Sequence, residues 1–164
     1  MVHKSIMRSV VKKIFYNDRI IAVKLHASVH ANIRAWRWWS GRIHDIIEEI
    51  LEDGKGDTNT ITIGDWNSAV GNESYRNIVG PHGLGRKNHR GQMLSNFCER
   101  KGLIVTNAWF RKPKRRLYTW KAPGDWSWHQ LDYILVKHRF RNSVNYVQTL
   151  PGSDIDSDHS LRVA

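Results

Sequence analysis

The chain has 164 residues, of which 40% are hydrophobic and 25% charged. This composition is typical of one globular domain and excludes collagen-like, low-complexity and wholly disordered proteins. No apolar run approaches the ~18 residues of a membrane-spanning helix, and the first residues lack a secretory signal, so we expect neither a membrane nor a secreted protein. The single cysteine, Cys98, excludes an internal disulfide and a multi-cysteine zinc cluster. It favours a reducing intracellular compartment, such as the nucleus.

The formal net charge of +11 is concentrated in one part of the chain. Residues 86–141 carry 14 lysines and arginines against three acidic residues, whereas the remainder carries 12 of each and is neutral. Such a concentration is typical of a surface that binds nucleic acid, because each neutralised phosphate releases condensed counterions. The alternative is a solvated basic surface with no ligand.

In chain order, two β-prone runs come first, one starting at Ser9 and one over residues 19–25, separated by the turn formers Asn17 and Asp18. They predict a hairpin, with an amphipathic helix over residues 4–15 as the less favoured alternative. Residues 26–40 show neither the spacing of apolar residues typical of a helix nor the alternation typical of a strand. We expect their three tryptophans to anchor the core rather than stack on bases.

Apolar residues at helical spacing from Ile43 to Leu51 then predict an amphipathic helix, ended by residues 53–57. A strand over residues 60–63 follows, and Met93 to Cys98 indicate a second helix with Gly102 as its C-cap. Further strands are predicted over residues 103–107, 117–120 and 131–136, with one more within 140–150 and a last one after the polar loop at 157–160. No repeat or internal boundary interrupts the chain, so we expect residues 1–164 to form a single domain.

Three polar clusters stand where predicted strands begin or end: Asp65 with Asn67, Asp132, and Asp158 with His159. Each cluster alone suits an ordinary turn, cap or buried pair. Together they supply carboxylates for a hard divalent cation, a carboxylate to activate water, and donors for the developing charge on phosphorus. The combination therefore favours phosphodiester hydrolysis.

The motifs GDWN at 64–67, QLDYIL at 130–135 and SDH at 157–159 resemble those of the endonuclease/exonuclease/phosphatase superfamily. Residues 82–91, 103–107 and 115–120 are similar to its LINE-type retroelement endonuclease branch, which includes craniofacial development protein 2-like proteins. The resemblance implies an α/β (α+β) sandwich of two packed, mostly antiparallel sheets flanked by helices. It also implies Mg²⁺-dependent cleavage of DNA phosphodiester bonds, with Mn²⁺ as a second candidate ion.

Carried over by position, the resemblance implies a catalytic role for Asp65, Asn67, Asp132 and His159. Asp65 resembles the carboxylate that orients or deprotonates the attacking water, and Asn67 the amide that contacts the phosphate. His159 resembles the imidazole that stabilises the phosphate, and Asp132 the partner that holds this imidazole charged and oriented. Asp158, together with Asp65, resembles a carboxylate of the metal site.

The resemblance further implies that Lys114, Arg115 and Arg116 contact DNA phosphates. In the family, the first strands carry an asparagine and a glutamate that is the principal Mg²⁺ ligand, and no residue of this sequence matches that glutamate. We therefore expect a partial, N-terminally truncated domain that lacks the family's first strands and cleaves poorly. The alternatives are a non-catalytic remnant that binds nucleic acid and, disfavoured by the retroelement-like loops, a phosphatase for inositol lipids or small phosphates.

Overall fold

The computed structural model describes residues 10–17, 20–25, 48, 61–122, 124, 127–150 and 161–163. The strands are β1 (Val10–Asn17), β2 (Ile20–Leu25), β3 (Ile61–Asp65), β4 (Leu103–Val105), β5 (Trp120–Lys121), β6 (Trp128–His129), β7 (Asp132–Lys137), β8 (Gln148–Leu150) and β9 (Leu161–Val163). The helix α1 spans His89–Lys101, and 3₁₀ turns span Thr106–Ala108, Lys114–Arg116 and His138–Ser143. Within these ranges, no helix has the length and apolar character needed to cross a membrane.

The first two strands form the predicted hairpin. β1 pairs antiparallel with β2, from Val10 opposite Leu25 to Asn17 opposite Ile20. The helical alternative is therefore wrong for residues 10–15, which form a strand paired with β2. The predicted segments at 26–40 and 157–160 and the predicted helix from Ile43 lie outside the described residues, except that Glu48 is helical.

The central sheet has the order β3-β7-β4, with both pairings antiparallel. Side chains alternate between the two faces of a strand, so β7 serves two cores at once. Tyr133 and Leu135 face one apolar cluster, whereas Ile134 and Val136 face the other. β7 is consequently buried on both faces, which explains why it appears in the sequence as an apolar run.

Helix α1 covers the face of the sheet that carries Tyr133 and Leu135. Asn88 caps its first turn, because its side-chain oxygen accepts the N–H of Gly91 at 2.7 Å. Gly102 ends the helix in the left-handed conformation, at φ 62°, as the sequence predicts. The inner side of the helix buries Leu94, Ser95, Phe97 and Cys98. Burial raises the pKa of the Cys98 thiol, so this cysteine stays protonated and is no nucleophile.

Two predicted strands differ from the observed ones. The strand expected over 103–107 ends at Val105, because Thr106 and Asn107 turn into a 3₁₀ conformation and bond to β7 through their side chains. The strand expected over 117–120 is reduced to β5, since Leu117 closes the 3₁₀ turn Lys114–Arg116 by donating to the carbonyl of Lys114 at 3.0 Å. The strands predicted at 60–63, 131–136 and after residue 160 are confirmed.

Candidate active site

Two carboxylates that the sequence singles out lie side by side on neighbouring strands of the central sheet. Asp65, the last residue of β3, is the register partner of Asp132, the first residue of β7. Directly opposed residues of an antiparallel pair project from the same face, with Cβ atoms about 5 Å apart. Both residues are half-buried. Two neighbouring carboxylates supply the kind of oxygen ligand that a hard divalent cation prefers.

A tight turn fixes the direction of the Asp65 side chain. Its Oδ1 accepts the backbone N–H of Asn67 at 2.8 Å, and Asn67 adopts φ 45°, in the left-handed region that asparagine tolerates better than most residues. Between them, Trp66 is buried on the opposite face and donates its indole N–H to the carbonyl of Tyr133 at 3.3 Å. The motif at 64–67 thus presents one carboxylate outward while its tryptophan anchors it inward.

The segment that follows Asn67 rests on buried hydrogen bonds. The N–H of Val70 donates to the Tyr133 hydroxyl at 3.2 Å, and this hydroxyl donates to the carbonyl of Gln130 at 2.5 Å. Asn88 contacts Ala69 twice, donating its N–H to the Ala69 carbonyl at 3.0 Å and accepting the Ala69 N–H at 3.2 Å. Asn88, the cap of α1, therefore also fixes the loop that follows the turn at Asp65–Asn67, which we call the aspartate turn.

On the other side of β7, buried side chains bond to the backbone around Asp132. The Thr119 hydroxyl accepts the N–H groups of Leu131 at 2.9 Å and Asp132 at 3.1 Å. Asn107 donates to the Asp132 carbonyl at 3.3 Å and accepts the N–H of Ile134 at 2.8 Å. Neither Thr119 nor Asn107 was expected from the sequence to support the site. The available signal was a polar residue at or next to the end of a predicted strand.

The basic residues singled out from the sequence lie on the 3₁₀ turn Lys114–Arg116. Lys114 and Arg115 are exposed, and Arg116 is half-buried. Thr119 follows Arg116 by three residues, a separation of at most about 11 Å between Cα atoms. Because Thr119 bonds to Asp132, a short stretch of chain connects the basic turn to the strand end that carries Asp132.

The structure brings Asp65, Asn67 and Asp132 together at one end of the central sheet, where β3 ends and β7 begins. Asp158 and His159 lie outside the described residues. Carboxylate and amide oxygens are the donors that Mg²⁺ and Mn²⁺ prefer, so the chemistry of this set fits a hard divalent cation. In the described part of the chain, no group of three or more histidine, cysteine, aspartate or glutamate side chains is placed to hold a metal. A complete metal site therefore needs further donors.

The sequence profile of the Endonuclease/Exonuclease/phosphatase family matches residues 8–159, which contain the opposed carboxylates and the basic turn. The chain belongs to this family. Nucleases of the family generally use divalent metal ions, which agrees with the oxygen donors at the sheet edge. The resemblance indicated by the motifs is thereby confirmed.

Curated relatives extend beyond this chain. Craniofacial development protein 2 of Bos taurus is 33% identical over 174 residues, which cover 100% of this chain and 29% of that protein. Its counterpart in Tragulus javanicus is 39% identical over 123 residues, 75% of this chain and 21% of that protein. The chain thus spans less than a third of the length of these relatives.

Two solved structures share the fold. A 3′-5′ exonuclease (NExo) from Neisseria meningitidis has a TM-score of 0.57 at 17% identity, covering 87% of this chain and 62% of that one. The endonuclease domain of TRAS1, a telomere-specific non-LTR retrotransposon, has a TM-score of 0.56 at 15% identity, covering 86% and 59%. These likenesses confirm the predicted fold class, an α/β fold of antiparallel sheets with few helices.

Proposed function

We propose that the chain is a retroelement-derived domain that hydrolyses phosphodiester bonds of DNA with Mg²⁺ as cofactor. The pairing of Asp65 with Asp132 at one sheet edge, with Asp65 oriented by the Asn67 amide, carries this proposal. Opposed carboxylates suit a cation and an activated water, and phosphodiester hydrolysis requires both. Membership of a family of nucleases and phosphatases supports the reaction class.

In this proposal each site residue has a separate task. Asp65 accepts a hydrogen bond from the attacking water and takes its proton, and the Asn67 side chain donates to a phosphate oxygen. His159 stabilises the charge that develops on phosphate, and Asp132 keeps its imidazole charged and oriented. Asp158 and Asp65 are the carboxylates that would hold Mg²⁺. When bound there, the ion lowers the pKa of water and neutralises charge on the leaving oxygen.

The basic turn supplies the contacts that bind the substrate. Lys114 and Arg115 are exposed, a short stretch of chain links their turn to Thr119 beside Asp132, and residues 100–124 contain no acidic side chain. Phosphate contacts of this kind position DNA without reading its bases. We therefore place the DNA backbone along the turn Lys114–Arg116, with the scissile phosphate at Asp65.

We further propose that the 164-residue chain cleaves DNA slowly. We take this chain to be a single, partial domain of the family. The carboxylates that we assign to the metal are Asp65 and Asp158, and no glutamate of this sequence matches the family's principal ligand. A weakly held Mg²⁺ then limits cleavage. Nicking should rise with Mg²⁺ concentration over a range in which a tight site would already be saturated.

Plasmid nicking by the purified chain tests the proposal. Asp65→Asn keeps an oxygen to accept the Asn67 N–H but loses the charge that binds a cation and accepts a proton. We expect this change to lower the nicking rate about 100-fold or more, with DNA affinity retained. Glu73→Gln, which removes an exposed carboxylate elsewhere, is the control and should nick at the wild-type rate.

Removal of divalent cations with a chelator should abolish nicking, and added Mg²⁺ should restore it. Nicking that persists in chelator or in Asp65→Asn would contradict the proposal. A wild-type chain that binds DNA but does not nick at any Mg²⁺ concentration would instead support the non-catalytic binding remnant. The exposed basic turn is the observation that favours this second candidate.

A further inference from the structure

On the side of β7 that faces away from β3, side chains supply the hydrogen bonds to the backbone at the end of the strand that carries Asp132. β4 accompanies β7 only as far as Val105, which pairs with Leu135. Beyond this point, among the described residues, the backbone groups of Ile134 and Asp132 on that edge bond to Thr106, Asn107 and Thr119. A strand end that would otherwise lack a ladder partner is thereby held in place up to Asp132.

Asn107 makes two hydrogen bonds to the backbone of β7, one of them to the carbonyl of Asp132. Its amide spans Tyr133, donating from Nδ2 to the carbonyl of Asp132 at 3.3 Å and accepting at Oδ1 the N–H of Ile134 at 2.8 Å. Only 2% of the residue is exposed, so water has little access to replace either bond. A primary amide is the side-chain group that can donate and accept across this span.

We propose that Asn107 is a positioning residue that fixes the backbone of Asp132, and so the direction of its carboxylate. The inference rests on the proposed function, in which Asp132 orients a catalytic imidazole. The N–H of Asp132 is fixed by Thr119 and its carbonyl by Asn107, so the Cα–Cβ bond of Asp132 has little freedom to tilt. A misplacement of about 1 Å in a reacting group is enough to cost about 100-fold in rate.

Two variants of the full 164-residue chain separate positioning from general stability. Asn107→Asp is nearly isosteric and keeps the acceptor for Ile134, but it removes the N–H that donates to Asp132. Thr106→Val is the matched control, because the Thr106 hydroxyl makes a buried hydrogen bond to the Ile134 carbonyl, at 2.7 Å, without contacting Asp132. Each variant removes one side-chain hydrogen bond to the backbone of β7, and the bond lost in Asn107→Asp is the one to Asp132.

The first measurement is the single-turnover nicking rate with Mg²⁺, alongside the Kd for the same DNA. We expect Asn107→Asp to lower the rate about 10-fold or more at unchanged DNA affinity, as for groups that orient catalytic ligands. Thr106→Val should retain the wild-type rate. Equally reduced rates in the two variants, or a wild-type rate in Asn107→Asp, would overturn the inference.

The second measurement is independent of cleavage. Three-bond NMR couplings to the Asp132 carboxyl carbon report how its side chain is distributed among rotamers. Wild type and Thr106→Val should show one dominant rotamer, and Asn107→Asp should show averaging. If the wild-type chain does not nick DNA, the proposed function is wrong, while unchanged couplings in Asn107→Asp would show separately that Asn107 does not position Asp132.

Discussion

Two regions of the molecule are built in opposite ways: the strand ends that carry Asp65 and Asp132, and the basic turn Lys114–Arg116. Around the carboxylates, buried groups such as Trp66, Tyr133 and Asn107 bond to the backbone from both sides of β7. The basic turn instead buries none of its residues, and turn hydrogen bonds to Pro113 and Lys114 close it. The carboxylates are thus supported by buried residues, whereas the basic turn is closed by its own backbone hydrogen bonds and keeps its side chains out of the core.

This difference corresponds to what each region has to do. Proton transfer and metal binding depend on atomic positions, so a small displacement at Asp65 is costly. Attraction between a cation and a phosphate depends mainly on charge, and it tolerates movement of a long side chain. We therefore expect changes behind the carboxylates to act through structure, and changes on the turn to act through charge.

The largest expected effect comes from Gly91→Ala, behind the aspartate turn. A methyl group at Gly91 would lie 1.8 Å from the carbonyl oxygen of Ala69, which belongs to the backbone and cannot move aside as a side chain could. We expect the free energy of unfolding to fall by about 3 kcal/mol or more, measured by urea denaturation. Met93→Ala, on the exposed side of α1, is the control and should cost much less.

The second prediction concerns the turn itself. Replacing Lys114, Arg115 and Arg116 with alanine should reduce the slope of log affinity for DNA against log salt by about 0.9 for each phosphate that the variant no longer neutralises. The melting temperature should stay the same, since none of these side chains is buried. Alanine at Arg90, Arg139 and Arg141, three exposed cations elsewhere, removes the same charge and should change the slope less. Equal slopes in the two triple variants would mean that the turn is not the principal DNA-binding surface.

The smallest effect is expected at the helix cap. Asn88→Ala removes the acceptor for the N–H groups of Gly91 and Ala69 and should lower stability by about 1 kcal/mol. Asn88→Asp keeps the acceptor oxygen and should remain close to wild type in thermal denaturation. If Asn88→Asp were as unstable as Asn88→Ala, the capping bond would not explain the effect.

Local sequence patterns predicted the elements whose signals are self-contained. Helix α1 has its apolar spacing and its terminal glycine within residues 93–102, and the hairpin β1–β2 has its turn formers between two β-prone runs. The motif at 64–67 likewise indicated a polar strand end at Asp65. In these segments the local preference agrees with the observed backbone conformation, so the pattern was sufficient.

Where contacts with distant parts of the chain determine the backbone conformation, the sequence pattern predicted strands that are longer than the observed ones. Thr106 and Asn107 continue a β-prone run, but their side chains bond to β7, some 25 residues away, and the chain turns there instead. Leu117 likewise closes a 3₁₀ turn where the sequence predicted a strand, and its side chain is buried there. The opposition of Asp65 and Asp132 is a matter of register between strands far apart in the chain, which a single sequence does not specify.

The buried Cys98 can report how often helix α1 separates from the central sheet. As the single cysteine of the chain, it lies fully shielded on the inner side of α1, and burial holds its pKa above the ordinary range. A thiol in this state reacts with an alkylating reagent only after the helix separates from the sheet. The rate of alkylation in native buffer therefore measures how often the scaffold behind Asp65 opens, with no label, tag or engineered residue added.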